Sequence, residues 1–203
     1  MKLYYKPGAC SLTPHIVLCE AGLTVDLEKV DLATKKTEAG SDYLALNPKG
    51  YVPSLLLDDG QMLTEVSAIV QYLADRVPEK RLIPAAGTME RYRVQEWLSY
   101  ISSELHKAFN PLFNPKAPED WKVLVKEMLA PRIDFIARHL EGKDYLMGAN
   151  FTVADAYLFN VLNWARLVKV DLSPWPVIKA FSERVAARPG VRKAMLEEGL
   201  IKT

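Results

Sequence analysis

Residues 2–22, KLYYKPGACSLTPHIVLCEAG, decide how the rest of this chain is read. Leu3, Tyr4 and Tyr5 form a short apolar, aromatic run that predicts a buried strand. Pro7 and Gly8 punctuate it. Ala9-Cys10-Ser11 then leads into a helix with Ile16, Val17 and Leu18 on its apolar side and Gly22 as its C-cap. Cys10 therefore falls where a strand hands over to a helix N-terminus. Unpaired N–H groups and the positive end of the helix dipole point there. Such a setting lowers a thiol pKa from its free value of roughly 8.5 and favours the thiolate. The competing reading, a small buried apolar cysteine, is the weaker one beside Pro7, Gly8 and Ser11.

Working outward, 25–30 reads as a second strand, and 42–46 as a short helix ahead of the turn Asn47-Pro48-Lys49-Gly50. Tyr51 to Leu57 is a strand interrupted by Pro53, Asp58-Asp59-Gly60 a hairpin turn, and 61–63 the returning strand. Thr64-Glu65 opens a helix whose apolar face is Val66, Ile69, Val70, Leu73 and Val77. Strand, helix, strand, helix, hairpin, helix makes an α/β layer with a mixed sheet. The stretch 78–88, PEKRLIPAAGT, has no periodicity and marks a boundary between a first domain at 1–80 and a second at 88–203. Beyond it only helices are predicted: 89–110, broken at Pro111; 119–140, kinked at Pro131; 153–168; and two more towards the C-terminus.

Composition excludes several classes. The 203 residues are 49% apolar and 25% charged, with a net charge of +1. Residues 1–84 carry nine Lys/Arg against eleven Asp/Glu and the remainder 17 against 14, so neither part is a basic arm for nucleic acid. No run approaches membrane-spanning length, and the start lacks the apolar core of a signal peptide. The two cysteines, Cys10 and Cys19, would lie about 12–14 Å apart along one helix, too far for a disulfide. Free thiols predict a reducing, cytoplasmic setting. Three scattered histidines and two distant cysteines predict no metal site.

Four further features bear on chemistry. Val52-Pro53 belongs at an edge or tight turn, can take a cis bond, and leaves backbone groups free to pair with an extended peptide. Glu65 and the N–H groups of 65–67 at a helix start can hold an amine and a carboxylate together, although complementing the dipole would explain Glu65 alone. Ser99, Ser103, His106 and Asn110 fall at steps of four, three and four, flanked by Glu104 and Lys107, as a polar stripe beside an apolar face. Thr152 and Asp155 form a capping signature, so Asp155 reads as structural. His15 and His139 read as structural, and Trp97, Trp164, Trp175 and Tyr157 as core.

The segments MKLYYKPGACSLTPHIVL, NPKGYVPSL, LTE followed by AIVQYLAD, SSELHK and FTVADAYLF occur in one order along the chain. Together they resemble the glutathione transferases, in particular the bacterial beta class. The resemblance implies a thioredoxin-like α/β N-terminal domain, an all-α C-terminal domain, and a homodimer. It implies glutathione as co-substrate with no other cofactor, and a hydrophobic electrophile entering between the domains. Cys10 would lie beside the glutathione sulfur, with the Ser11 hydroxyl nearby. Lys35 would face the glycine end. Val52, before a cis Pro53, would pair with the cysteinyl residue, and Glu65 with the amides of Val66 and Ser67 would hold the γ-glutamyl head. His106, Leu105 and Lys107 would line the site near the sulfur, and Ser99, Ser103 and Glu104 would reach the ligand or the neighbouring subunit. Cys10, Ser11 and His106 are the implied catalytic set. Val66 stands where the family has Gly or Ser, and Ser99 where the class often has Asn. Conjugation is the leading expectation. A glutathione-dependent reductase or dehalogenase, or a binding protein without catalysis, are the alternatives.

Overall fold

In the computed structural model, which describes residues 1–202, Lys2–Tyr5 forms β1 at the middle of a five-stranded sheet. Leu3 and Tyr4 are buried because β1 is paired on both sides. Leu12–Ala21 is α1, closed by Gly22 at φ +70°, a conformation that glycine adopts without steric cost. The chain returns as β2 (Asp26–Asp31), parallel to β1 with Leu3 opposite Leu27. A two-residue β3 (Lys36–Thr37), not visible in the sequence pattern, pairs on the outer edge of β2. α2 (Tyr43–Leu46) follows, with the Asp42 carboxylate accepting from Leu44 N–H. β4 (Ser54–Leu56) runs antiparallel to β1, and β5 (Met62–Thr64) antiparallel to β4, giving the order β3-β2-β1-β4-β5. α3 (Val66–Asp75) buries Val66, Ile69, Val70 and Leu73, the face that the three-and-four spacing predicts. The result is the mixed-sheet, thioredoxin-like layer expected from the order of elements.

Pro84–Ala187 forms a separate, all-helical unit. α4 (Met89–Tyr100) passes into a π-helical turn, Ile101–His106, and then α5 (Lys107–Phe113). Pro111 was expected to end this helix, but it sits inside α5, which stops only at Asn114. α6 (Glu119–Leu140) follows, and then α7 (Val153–Leu167), launched by the Thr152/Asp155 capping box. Asp155 accepts hydrogen bonds from Thr152 N–H and Leu146 N–H, both at 2.8 Å. Burial pushes its carboxyl up to about 6, and these hydrogen bonds oppose the rise. α8 is Pro176–Ala186. No helix among the described residues is long and apolar enough to cross a membrane.

One boundary differs from the sequence reading. Residues from Arg188 onward belong with Met1–Ile83, not with the helical unit. α9 (Pro189–Glu197) lies against α1 and buries Val191 and Ala194. Arg188 grips both carboxylate oxygens of Glu20, at 3.1 and 2.6 Å. Gly190 packs close to this pair: a Cβ there would stand 2.8 Å from the Glu20 side chain, which would have to shift. His15, buried in α1, touches Glu198 through Nδ1 (3.0 Å) and Glu197 through Nε2 (2.8 Å). Burial pulls this imidazole down, but hydrogen bonds to Cys19, Glu198 and Glu197 outweigh it and lift its pKa to about 10. The partners are some 180 positions away in sequence, so local pattern carries no sign of the contact.

Candidate active site

The first unit gathers the N-terminal half of the expected site. Cys10 lies just ahead of α1, and its thiol donates to the Val52 carbonyl at 3.1 Å. Val52 precedes a cis Pro53. The Val52 position is set from behind: the Tyr51 carbonyl accepts from Tyr43 Oη (2.8 Å) and from Asn47 Nδ2 (2.9 Å), both residues being fully enclosed. Neither was singled out in the sequence. The signal was available in Asn47, whose turn position demands side-chain bonding to nearby backbone. The Val52 N–H forms no hydrogen bond among the described residues, so an extended peptide can still pair there.

The expected thiolate is corrected. Burial pushes the Cys10 thiol up to about 12, and the Glu65 carboxylate adds to the rise. The N–H groups of Cys10 and Ser11 pull in the opposite direction but do not prevail. The helix-end effect read from the sequence is therefore present and outweighed by desolvation. Ser11 is corrected too. Its side chain is buried and its hydroxyl both accepts from Lys6 N–H (3.1 Å) and donates to Lys6 C=O (3.2 Å).

Lys35 adopts φ +58°, and its ammonium donates to Gly50 C=O at 2.8 Å while lying 5.5 Å from the Tyr51 ring centre. Gly50, at φ +65°, is packed so closely that a Cβ would stand 2.9 Å from Leu44. The cation is thus held on the backbone run that leads into Val52. At the start of α3, Glu65 takes φ +72° and makes no side-chain cap. Its exposed carboxylate is met by Lys49 Nζ at 2.7 Å, which also donates to Thr64 Oγ1 at 2.9 Å. Lys49 was missed, hidden in a turn motif read only for its shape. Val66 is buried, and the N–H groups of 66 and 67 fall in the first turn of α3, ahead of its first intrahelical bonds from Ala68 and Ile69 to Glu65 C=O.

The remaining expected residues belong to the helical unit. The π-helical turn changes the phase between Ser99 and His106. Ser99 and Ser103 are exposed, and Ser103 Oγ donates to Ser99 C=O at 3.0 Å. Leu105 is fully buried. Glu104 is held by Arg132 of its own chain at 2.9 Å, so its carboxylate is already engaged within one protomer. Lys107 is exposed. His106 is half-buried, with Nδ1 2.7 Å from Tyr157 Oη and its ring edge-on to Trp164 at 4.8 Å. Tyr157 and Trp164 are core residues as expected, but the Tyr157 hydroxyl also fixes the imidazole, the polar partner a buried tyrosine requires.

A thiol ahead of α1, a cis proline beside it and the start of α3 thus stand on one thioredoxin-like sheet. Residues 8–76 match the family model described as glutathione S-transferase, N-terminal domain, and residues 100–189 that described as glutathione S-transferase, C-terminal domain. The chain belongs to the glutathione S-transferase family. It is 50% identical to glutathione S-transferase GstA of Escherichia coli O157:H7, over 98% of this chain and 100% of that protein. A solved ternary complex of BphK, a bacterial GST, matches with TM-score 0.97 and 58% identity, over 98% of this chain and all of that one. A sphingomonad glutathione S-transferase in complex with glutathione matches with TM-score 0.95 and 45% identity, over 99% of this chain and all of that one.

Proposed function

We propose that this chain transfers glutathione to hydrophobic electrophiles, using the tripeptide's own thiolate as nucleophile. The observation that carries the reading is the Cys10 thiol on the Val52 carbonyl at 3.1 Å, beside a backbone N–H left free for a peptide. In this reading Val52 pairs with the cysteinyl residue and thereby brings its sulfur to Cys10. Glu65 meets the γ-glutamyl ammonium, the Val66 and Ser67 amides meet its carboxylate, and Lys35 meets the glycine carboxylate. Cys10, protonated at neutral pH by its burial, then turns its S–H from Val52 to the glutathione sulfur and stabilises the anion as a donor. The raised Cys10 pKa favours this role over nucleophilic thiol–disulfide exchange, which needs the Cys10 thiolate. His106, oriented by Tyr157, is assigned to the same reaction as a further donor. The proposed setting is the cytoplasm, and the proposed assembly a homodimer. Light scattering is expected to give twice the chain mass.

Conjugation of an aryl halide at neutral pH tests the function. The native chain is expected to exceed the uncatalysed rate, Cys10→Ser to retain most of that rate, and Cys10→Ala to lose about tenfold in kcat/KM through the lost donor. Equal loss in Ser and Ala variants, with a glutathione adduct on Cys10 in protein purified without reductant, would instead establish exchange as the main chemistry. No catalysis together with no saturable glutathione heat would leave a non-catalytic family member.

A further inference from the structure

His15 and Cys19 stand four residues apart on α1, so their side chains share one face of that helix. α9 packs on this face and ends at Glu197. His15 Nε2 lies 2.8 Å from Glu197 Oε2, and Cys19 Sγ lies 3.9 Å from the same oxygen. The three donor atoms all fall within 4.8 Å of one another. The sequence reading expected no metal site because the third donor comes from the far end of the chain. A second observation concerns the other ring nitrogen. His15 Nδ1 is bound at 3.0 Å by Glu198 Oε1, whose side chain is wholly buried and whose Oε2 accepts from Gly8 N–H at 2.8 Å. A carboxylate on one imidazole nitrogen is the usual support behind a metal-binding histidine, because it holds the ring in place and keeps Nδ1 protonated when Nε2 gives up its proton to a metal.

We propose that His15 Nε2, Cys19 Sγ and Glu197 form a binding site for one divalent cation of the zinc type, with Glu198 orienting the imidazole and water completing the shell. A nitrogen, sulfur and oxygen donor set suits a borderline-soft ion and disfavours magnesium or calcium. Tetrahedral zinc needs its donors about 3.3–3.6 Å apart. Glu197 therefore moves slightly away from His15 and Cys19 slightly closer. Neither of the two is buried, while His15 stays fixed by Glu198. Lys193, 3.9 Å from Glu197 Oε1, sits on the oxygen the cation does not use. Binding exchanges protons only: the Nε2 proton and the thiol proton of Cys19 pass to solvent, and no electron is transferred. The bound ion would join α1 to α9 and, through Glu198, bear on Gly8 two residues before Cys10.

The full-length protein, reduced and stripped with a chelator, is titrated with cobalt(II) and followed by absorbance. One equivalent is expected to produce the visible bands of tetrahedral cobalt and a near-ultraviolet thiolate-to-cobalt band, both displaced by zinc(II). The thiolate band is expected to persist in Cys10→Ala, to vanish in Cys19→Ala, and the affinity to fall at least about tenfold in Glu197→Gln. Circular dichroism checks that these variants keep their helices. In the native chain zinc is expected to raise the thermal midpoint and magnesium at the same concentration to leave it unchanged. No saturable cobalt binding, a thiolate band that survives Cys19→Ala or disappears with Cys10→Ala, or equal responses to zinc and magnesium would overturn the proposal. None of these readouts depends on glutathione, so failure here leaves the proposed reaction standing.

Discussion

At φ +72° and ψ 126°, Glu65 holds a backbone conformation that costs a residue other than glycine about 1–3 kcal/mol. It holds it at the start of α3, where its carboxylate meets Lys49 and, in the proposed function, the γ-glutamyl ammonium. Glu65→Gly is therefore expected to separate stability from binding. Relief of strain exceeds the extra chain entropy of glycine, so the denaturation midpoint rises, by about 1 kcal/mol in stability. Glutathione affinity by calorimetry falls about tenfold or more, because a charge-assisted hydrogen bond is lost. A variant that loses both stability and affinity would show that the conformation is not strained. Legibility at this scale was uneven. The junctions at Cys10, Val52-Pro53 and Glu65 could be read, since each is marked by local residue chemistry: Cys10 lies just ahead of α1 and meets the Val52 carbonyl, and Glu65 stands at the start of α3. The Cys10 pKa could not, because desolvation depends on everything packed around the sulfur, whereas the helix-end effect depends only on its neighbours in sequence. The Ser11 hydroxyl was misread for the same reason: its partner is the backbone of Lys6, a choice settled by the turn between them.

Helix ends were legible where side chains announce them. The Thr152 and Asp155 box on α7 was read directly from its spacing, and it also reaches Leu146. Asp155→Ala is expected to cost about 2–4 kcal/mol, measured by urea denaturation, since it leaves buried donors without an acceptor. The carboxyl pKa is raised from 3.8 to about 6. The folded state therefore binds this proton more tightly than the unfolded one, and the contribution of Asp155 is complete below about pH 4 and fades as pH climbs through 6. Asp155→Asn, which cannot ionise, is expected to flatten this part of the stability profile; an unchanged slope between pH 4 and 7 would contradict the assignment. The π-helical turn at Ile101–His106 had no such announcement. Its residues read as ordinary helix, the apolar positions Ile101 and Leu105 are buried either way, and only the polar stripe betrays the change of phase.

At the scale of the molecule, the two units differ in how they are drawn from the chain. Pro84–Ala187 is continuous, while the first unit is assembled from two separated stretches. Periodicity recovered the elements of both, because each element's pattern is local. It assigned 188–202 to the wrong unit, because a short amphipathic helix shows that it has an apolar face and not which surface that face covers. Deleting residues 188–203 is expected to destabilise the first unit by about 3–5 kcal/mol, since Glu20, His15 and Gly8 all lose partners. Hydrogen exchange should show lost protection in Ile16, Val17 and Leu18 of α1 while the interior of α7 stays protected. A synthetic peptide spanning 188–202, added in excess, should restore the α1 protection.

The late arrival of α9 also bears on biosynthesis. A growing polypeptide exposes β1 and α1 at the ribosome well before α9 has been made, and at about 5–20 residues per second the intervening helical unit occupies roughly 5–20 s. Through that interval the imidazole of His15 and the carboxylate of Glu20 face solvent or a chaperone instead of their final neighbours. The unit that holds β1 and α1 thus gains its last helix only after the helical unit has been made.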